Sequence, residues 1–149
     1  MRVGEICNRE VIVMIGDESV QVAGELMRRF HVGDVVLVED RDGKRIPTGI
    51  VTDRDLVVEV MVPGLDPGAL AARDIVTSTL AVAHEDDDLY DALERMREKA
   101  VRRLPVVDAD GVLIGILTMD DLGALLAEMQ SRIWAVVERQ RSREERTRP

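Results

Sequence analysis

The sequence predicts an α/β (α+β) fold built from two tandem β-α-β-β-α repeats, and two observations carry that prediction. The first is a repeated motif. Gly49-Ile50-Val51-Thr52-Asp53-Arg54-Asp55-Leu56 returns 66 residues later as Gly115-Ile116-Leu117-Thr118-Met119-Asp120-Asp121-Leu122. Upstream the correspondence continues at a spacing of 69, pairing Glu5-Ile6 with Asp74-Ile75, Val13 with Val82, Ala23 with Ala92, Met27-Arg28 with Met96-Arg97 and Val38 with Val107. A fixed internal period marks one supersecondary unit used twice. The change of spacing falls between Asp40 and Gly49, where a turn absorbs an insertion. The second observation is that each copy alternates short β-branched runs with stretches at helical spacing. The organisation read from this is repeat 1 over 1–66, repeat 2 over 67–130, and a C-terminal helix extension with a basic tail over 131–149.

The elements follow in order. Val11 to Ile15 is a β-branched run stopped by Gly16-Asp17, so a strand and then a turn. A helix follows from about Ser19 with Val20, Ala23, Met27 and Phe30 on one face, matched in the second copy by Leu89, Leu93, Met96 and Ala100. The second of these helices starts after Glu85-Asp86-Asp87-Asp88. Carboxylates there satisfy free amides and the helix dipole without an ion, and no Cys and only His84 stands nearby to favour a metal. Val35 to Glu39 and Leu104 to Asp108 are continuous apolar strands. Asp42-Gly43 and Asp110-Gly111 then turn the chain into a second strand ending at Thr52 or Thr118. The helix from Leu56 to Val62 is apolar almost all round, a trait repeated from Leu122 to Ala127, with a buried strand as the competing reading of Val57 to Val62. A helix apolar on two sides needs cover on two sides, which points to a twofold homodimer. Pro63 to Gly68 links the repeats. The last helix runs on with Leu122, Leu125, Met129, Ile133 and Val136 in a stripe, and Trp134 is expected to pack against its own core or a dimer mate.

Composition sets the class. With 149 residues, 46% hydrophobic and 33% charged, the chain suits one good core shared by two half-size repeats. No apolar run approaches the roughly 20 residues of a membrane span, and the start lacks the apolar stretch of a secretion signal, so a cytoplasmic protein without a membrane partner is expected. The single Cys7 has no internal disulfide partner and reads as a small apolar residue. The net charge is −9, yet Arg139 to Pro149 holds five Arg and two Glu. An acidic body argues against nucleic acid as a partner, and the basic tail reads as a frayed, solvated helix end.

The duplicated Thr-x-x-Asp supports two readings. Each Thr ends a strand and each Asp lies one turn into the next helix, where backbone amides suit an anion. A hydroxyl can donate to a phosphate oxygen, and a carboxylate can accept from both hydroxyls of a ribose. The same spacing also makes a capping box, in which Thr caps the helix and the acid reaches back.

A unit of about 60 residues carrying Gly-hydrophobic-hydrophobic-Thr-x-x-Asp-Leu, preceded by Arg102-Arg103-Leu104-Pro105-Val106-Val107, resembles a CBS domain. Two in tandem resemble a CBS pair, or Bateman module, over roughly residues 3 to 127. Glu5-Ile6-Cys7 and Asp74-Ile75-Val76-Thr77 resemble the family's lead-in segment. The resemblance implies pseudo-twofold pairing of the repeats, clefts between their sheets, dimerisation through helices, and an adenosine ligand such as AMP, ADP or ATP, with NAD and S-adenosylmethionine as alternatives. Within the motif spans Thr52, Asp53, Arg54, Asp55 and Thr118, Met119, Asp120, Asp121, it implies ribose contacts from Asp55 and Asp121. Thr52 and Thr118 would hold the phosphate side, with Arg54 in reach of a phosphate. Asn8 and Val35 would border the first cleft; Thr77 and the backbone near Arg103 and Leu104 would border the second. Met119 replaces Arg54 in the second copy, so unequal affinities are expected unless Arg102 or Arg103 compensates.

No catalytic residues, cofactor or metal are read from the chain. His31 and His84 are isolated, and no phosphate loop of the Gly-x-x-x-x-Gly-Lys type is present. The leading expectation is a stand-alone module that binds an adenine nucleotide and signals to an unidentified regulated protein in trans. The alternative is a ligand-independent dimeric interaction module.

Overall fold

The structure, a computed structural model, describes residues 1–148. Two compact bodies make up the chain, Met1–Leu117 and the segment from Thr118 onward.

The first body contains two three-stranded sheets in the orders β1-β2-β3 and β4-β5-β6. In repeat 1, β1 (Val13–Ile15) leads to α1 (Val20–Phe30), then β2 (Asp34–Arg41), β3 (Lys44–Thr52) and α2 (Asp53–Asp55). The chain continues from α2 as a π-helical turn over Leu56–Met61. In repeat 2, β4 (Ala83–His84), α3 (Leu89–Lys99), β5 (Arg103–Val107) and β6 (Leu113–Thr118) repeat the order. The β-α-β-β-α reading therefore holds, and Leu56 to Met61 is helical rather than a buried strand.

β2 is apolar and buried from Val35 to Val38 because both its faces are covered there. Val35 and Leu37 join Met14, Val20, Ala23, Met27 and Val51 in one core cluster. Val36 and Val38 face the other way and pack with Ile116 of β6, so the second cluster lies between the two repeats' sheets. β1 runs parallel to β2, and β2 antiparallel to β3 with Asp34 opposite Thr52. Asp42 and Gly43, both at positive φ, close the two-residue hairpin.

The pseudo-twofold is legible in the backbone hydrogen bonds. A short 3-10 turn, Val3–Glu5, belongs by sequence to repeat 1 but attaches to repeat 2: Val3 N–H donates to Asp87 O at 3.0 Å and Gly4 N–H to Glu85 O at 2.9 Å. The equivalent turn Ala72–Ile75 attaches to repeat 1, where Ala72 N–H donates to Glu18 O at 2.8 Å and Arg73 N–H to Gly16 O at 3.0 Å. The repeats have exchanged their lead-in segments.

Three expectations on helix faces are corrected. Phe30, the last residue of α1, is 46% exposed rather than part of the buried face. Ala100 ends α3 in the left-handed region at φ 53 instead of extending its apolar face. The basic tail is not frayed through its described residues, because α4 runs from Met119 to Thr147. Pro149 lies outside the described residues. Trp134 is 61% exposed and is not part of the buried core. Among the described residues no helix is long and apolar enough to cross a membrane, and no group of His, Cys, Asp and Glu is arranged to hold a metal ion.

Candidate functional site

Both motifs fold as capping boxes. Thr52 ends β3 with extended backbone and caps α2. Its N–H donates to Asp55 Oδ2 at 2.8 Å, its hydroxyl donates to the same oxygen at 2.9 Å, and Asp55 N–H donates to Thr52 Oγ1 at 3.2 Å. At the start of α4, Thr118 and Asp121 repeat the three contacts at 2.8, 2.7 and 3.2 Å. A carboxylate only accepts, so each Thr proton is committed to its own Asp. The threonines therefore position the carboxylates, and the expected donation from Thr to a phosphate is not available in this arrangement. Oδ1 of each Asp takes no part in the box.

The expected anion site on backbone amides is also filled in the first copy. Asp53 N–H donates to Gly33 O at 3.0 Å, Arg54 N–H to Asp53 Oδ1 at 2.8 Å, and Asp55 N–H to Thr52. Positive charge at this motif must come from side chains. Arg54 is exposed. The second source is Arg103, which reaches across from β5 to repeat 1, where its Nε lies 2.6 Å from Asp34 Oδ2. Both partners are largely buried, with side chains 28% and 16% exposed. The absent side chain of Gly33 makes the room: a Cβ there would stand 3.3 Å from Arg103 Nη2 and 3.5 Å from Asp53 Oδ2.

This corrects the grouping of the flanking residues. Arg103, expected at the second cleft, instead pairs with Asp34 of the first repeat. Asn8 stands beside the second repeat, exchanging backbone hydrogen bonds with Ile116 at 2.9 Å each way. Val76, immediately before the exposed Thr77, stands over Gly49 of β3 in the first repeat, 3.2 Å from where a Cβ would be. The cause is the exchange of lead-in segments. Val35 and Leu104 are fully buried and present no open surface to a ligand. Met119 is 40% exposed and Asp120 exposed.

Asp34 and Gly33 were missed by sequence reasoning. A signal was present, since Asp34 and Arg103 are 69 residues apart, the offset of the repeat, and carry opposite charges. A cleft of about 410 Å³ lined by Ile15, Gly16, Leu37, Thr48, Arg73 and Val76 lies toward the opposite end of β2 and β3 from the motif.

The acidic run before α3 is absorbed by hydrogen bonds. Asp88 caps α3 by accepting from Tyr90 N–H at 2.9 Å, Asp87 accepts from His84 N–H and from Arg95, and Asp86 pairs with Arg2.

The CBS domain family model matches residues 3–62 and 72–139. An uncharacterised protein of Methanopyrus kandleri is 40% identical over 120 residues, covering 80% of this chain and 60% of that relative's length. A CBS domain protein of Pyrobaculum aerophilum, solved in complex with AMP, has a TM-score of 0.75 at 25% identity, covering 88% of this chain and 99% of that one. The CBS domain pair of a protein solved with 5′-methylthioadenosine and S-adenosylmethionine has a TM-score of 0.72 at 21% identity, over 85% of this chain and 99% of that one, a likeness of fold.

Proposed function

The chain belongs to the CBS domain family, and from that premise we propose that it is a regulatory module binding an adenosine-containing nucleotide and signalling to a separate protein. The observation that carries the reading is the duplicated box, which holds Asp55 and Asp121 in fixed orientation with one carboxylate oxygen outside the box to accept from a ribose. The AMP complex of the Pyrobaculum relative supports the ligand class. Arg54 and Arg103 support a phosphorylated ligand at the first motif, whereas the second has Met119 in place of Arg54. We assign AMP, ADP or ATP to the first motif and a weaker site to the second. A twofold dimer is part of the proposal, supported by the exposed Val57, Val58, Met61 and Val62 beside α1.

The test is calorimetric titration of AMP, ADP, ATP, NAD and S-adenosylmethionine into the wild-type chain and into Asp55→Asn/Asp121→Asn, which keeps an acceptor in each box. Saturable binding by one ligand, weakened at least about tenfold in the folded double variant, is expected. No binding by any of the five refutes the reading and leaves the boxes as caps of an interaction module, a role they fill complete without ligand.

The charge of the first motif gives a sharper expectation. Arg103→Gln removes a charge-assisted contact and should weaken AMP roughly tenfold while leaving unphosphorylated adenosine unchanged. Asp34→Asn releases the guanidinium and should tighten AMP. Equal effects on AMP and adenosine would remove Arg103 from the phosphate side.

A further inference from the structure

The last helix leaves the longest apolar surface of the chain bare. Leu126, Met129, Ile133, Trp134, Val136 and Val137 are all exposed, Leu126 by 67% and Ile133 by 63%. At about 100° per residue, all but Trp134 fall within an arc of about 100°, with Trp134 beyond its edge. Soluble monomers seldom leave so continuous a stripe uncovered. The helix is 29 residues and so about 43 Å long. Its charge is polarised along that length: Asp120 and Asp121 occupy the first turn, and residues 139–148 hold five Arg and two Glu.

We propose that α4 docks antiparallel on α4 of a second copy of this chain, with the apolar stripe as the seam. The stripe is centred near Ser131. About that centre Leu126 meets the partner's Val136 and Met129 meets the partner's Ile133. The helix dipoles then oppose, and acidic ends meet basic ends. A parallel pair would set five arginines beside five arginines. An anionic membrane is the other surface that takes an apolar stripe bordered by Trp and Arg. Glu128, Glu138, Glu144 and Glu145 interrupt the basic face, and residues 1–117 carry 14 Lys and Arg against 23 Asp and Glu, a net −9, so a second copy is favoured. The pairing stands independently of nucleotide binding and of the dimer surface at α2.

Sedimentation velocity over a wide concentration range tests it on the full chain. In a Met61→Lys/Val62→Lys background, which removes the separate dimer surface after α2, the chain should still form a dimer through α4, and Leu126→Lys/Ile133→Lys should raise its dissociation constant at least about 100-fold with an unchanged circular dichroism spectrum, because all four side chains are exposed. Orientation is read from spin labels on Ser142→Cys in a Cys7→Ala background. Antiparallel helices place the labels about 33 Å apart along the axis, whereas parallel helices place them level. A monomeric Met61→Lys/Val62→Lys chain, a dimer of that chain undiminished by the two lysines on α4, or level labels overturns the proposal. So does a chain that sediments with phosphatidylserine vesicles while remaining monomeric in their absence.

Discussion

Gly49 and Gly115 occupy the same place in the two repeats, and the exchanged lead-in segment explains both. A Cβ on Gly115 would stand 2.8 Å from Cys7 Sγ and 2.9 Å from the backbone oxygen of Asn8; on Gly49 the nearest atom would be a Val76 methyl at 3.2 Å. A side-chain methyl can shift, whereas the Asn8 backbone is fixed by its hydrogen bonds to Ile116. Gly115→Ala should therefore cost about 1–3 kcal/mol, and Gly49→Ala less than about 1 kcal/mol, measured by denaturant melts. A larger loss at Gly49 would contradict this packing. Contacts between residues three apart, such as the Thr-Asp boxes, are legible in sequence because the local chain determines them. The repeated glycine was equally visible, but its purpose lies in a segment from the other repeat. Arg103 and Asp34 show the same limit, since nothing local says that the two positions meet.

At the scale of elements, the start of α3 ties the helix to pH. Burial pushes the Asp87 carboxyl up, but the His84 N–H and the Arg95 guanidinium outweigh it and hold Asp87 below its ordinary value. Hydrogen bonding from Tyr90 N–H does the same for Asp88, with the N-terminal ammonium adding to it. A carboxyl depressed in the folded state contributes stability above its unfolded value near 4, and that contribution is lost as pH falls through the folded value. Wild type should lose thermal stability more steeply than Asp87→Asn as pH falls from about 5 toward 3, while being the more stable of the two at neutral pH. Parallel slopes would show that the hydrogen bonds do not act through Asp87's charge. Strands and helices were readable here from β-branched runs and helical periodicity. Their ends were not: Ala100 stands in the left-handed region that its residue type disfavours, and the tail, read as a frayed end, is carried as helix to Thr147 by its good helix-forming Arg, Glu and Gln residues. The π-helical turn after α2 holds Val57, Val58 and Val60, poor α-helix formers, and leaves Val62 N–H on Val57 O at 2.9 Å.

Over the whole molecule, the tandem organisation was plain from the duplicated motif, whereas the swap of lead-in segments was hidden. Sequence order assigns Val3–Glu5 to repeat 1, and only the hydrogen bonds to Glu85 and Asp87 move it to repeat 2. Each half consequently lacks a piece that the other supplies. Halves cut between Leu65 and Asp66 and produced together should copurify through a tag on either one, and neither alone should give a cooperative melt. Two independently folding halves would refute the dependence. The covalent link between the repeats then serves as a tether that raises the effective concentration of one half near the other. A protease nick there would pass unnoticed at high protein concentration and reveal itself only on dilution.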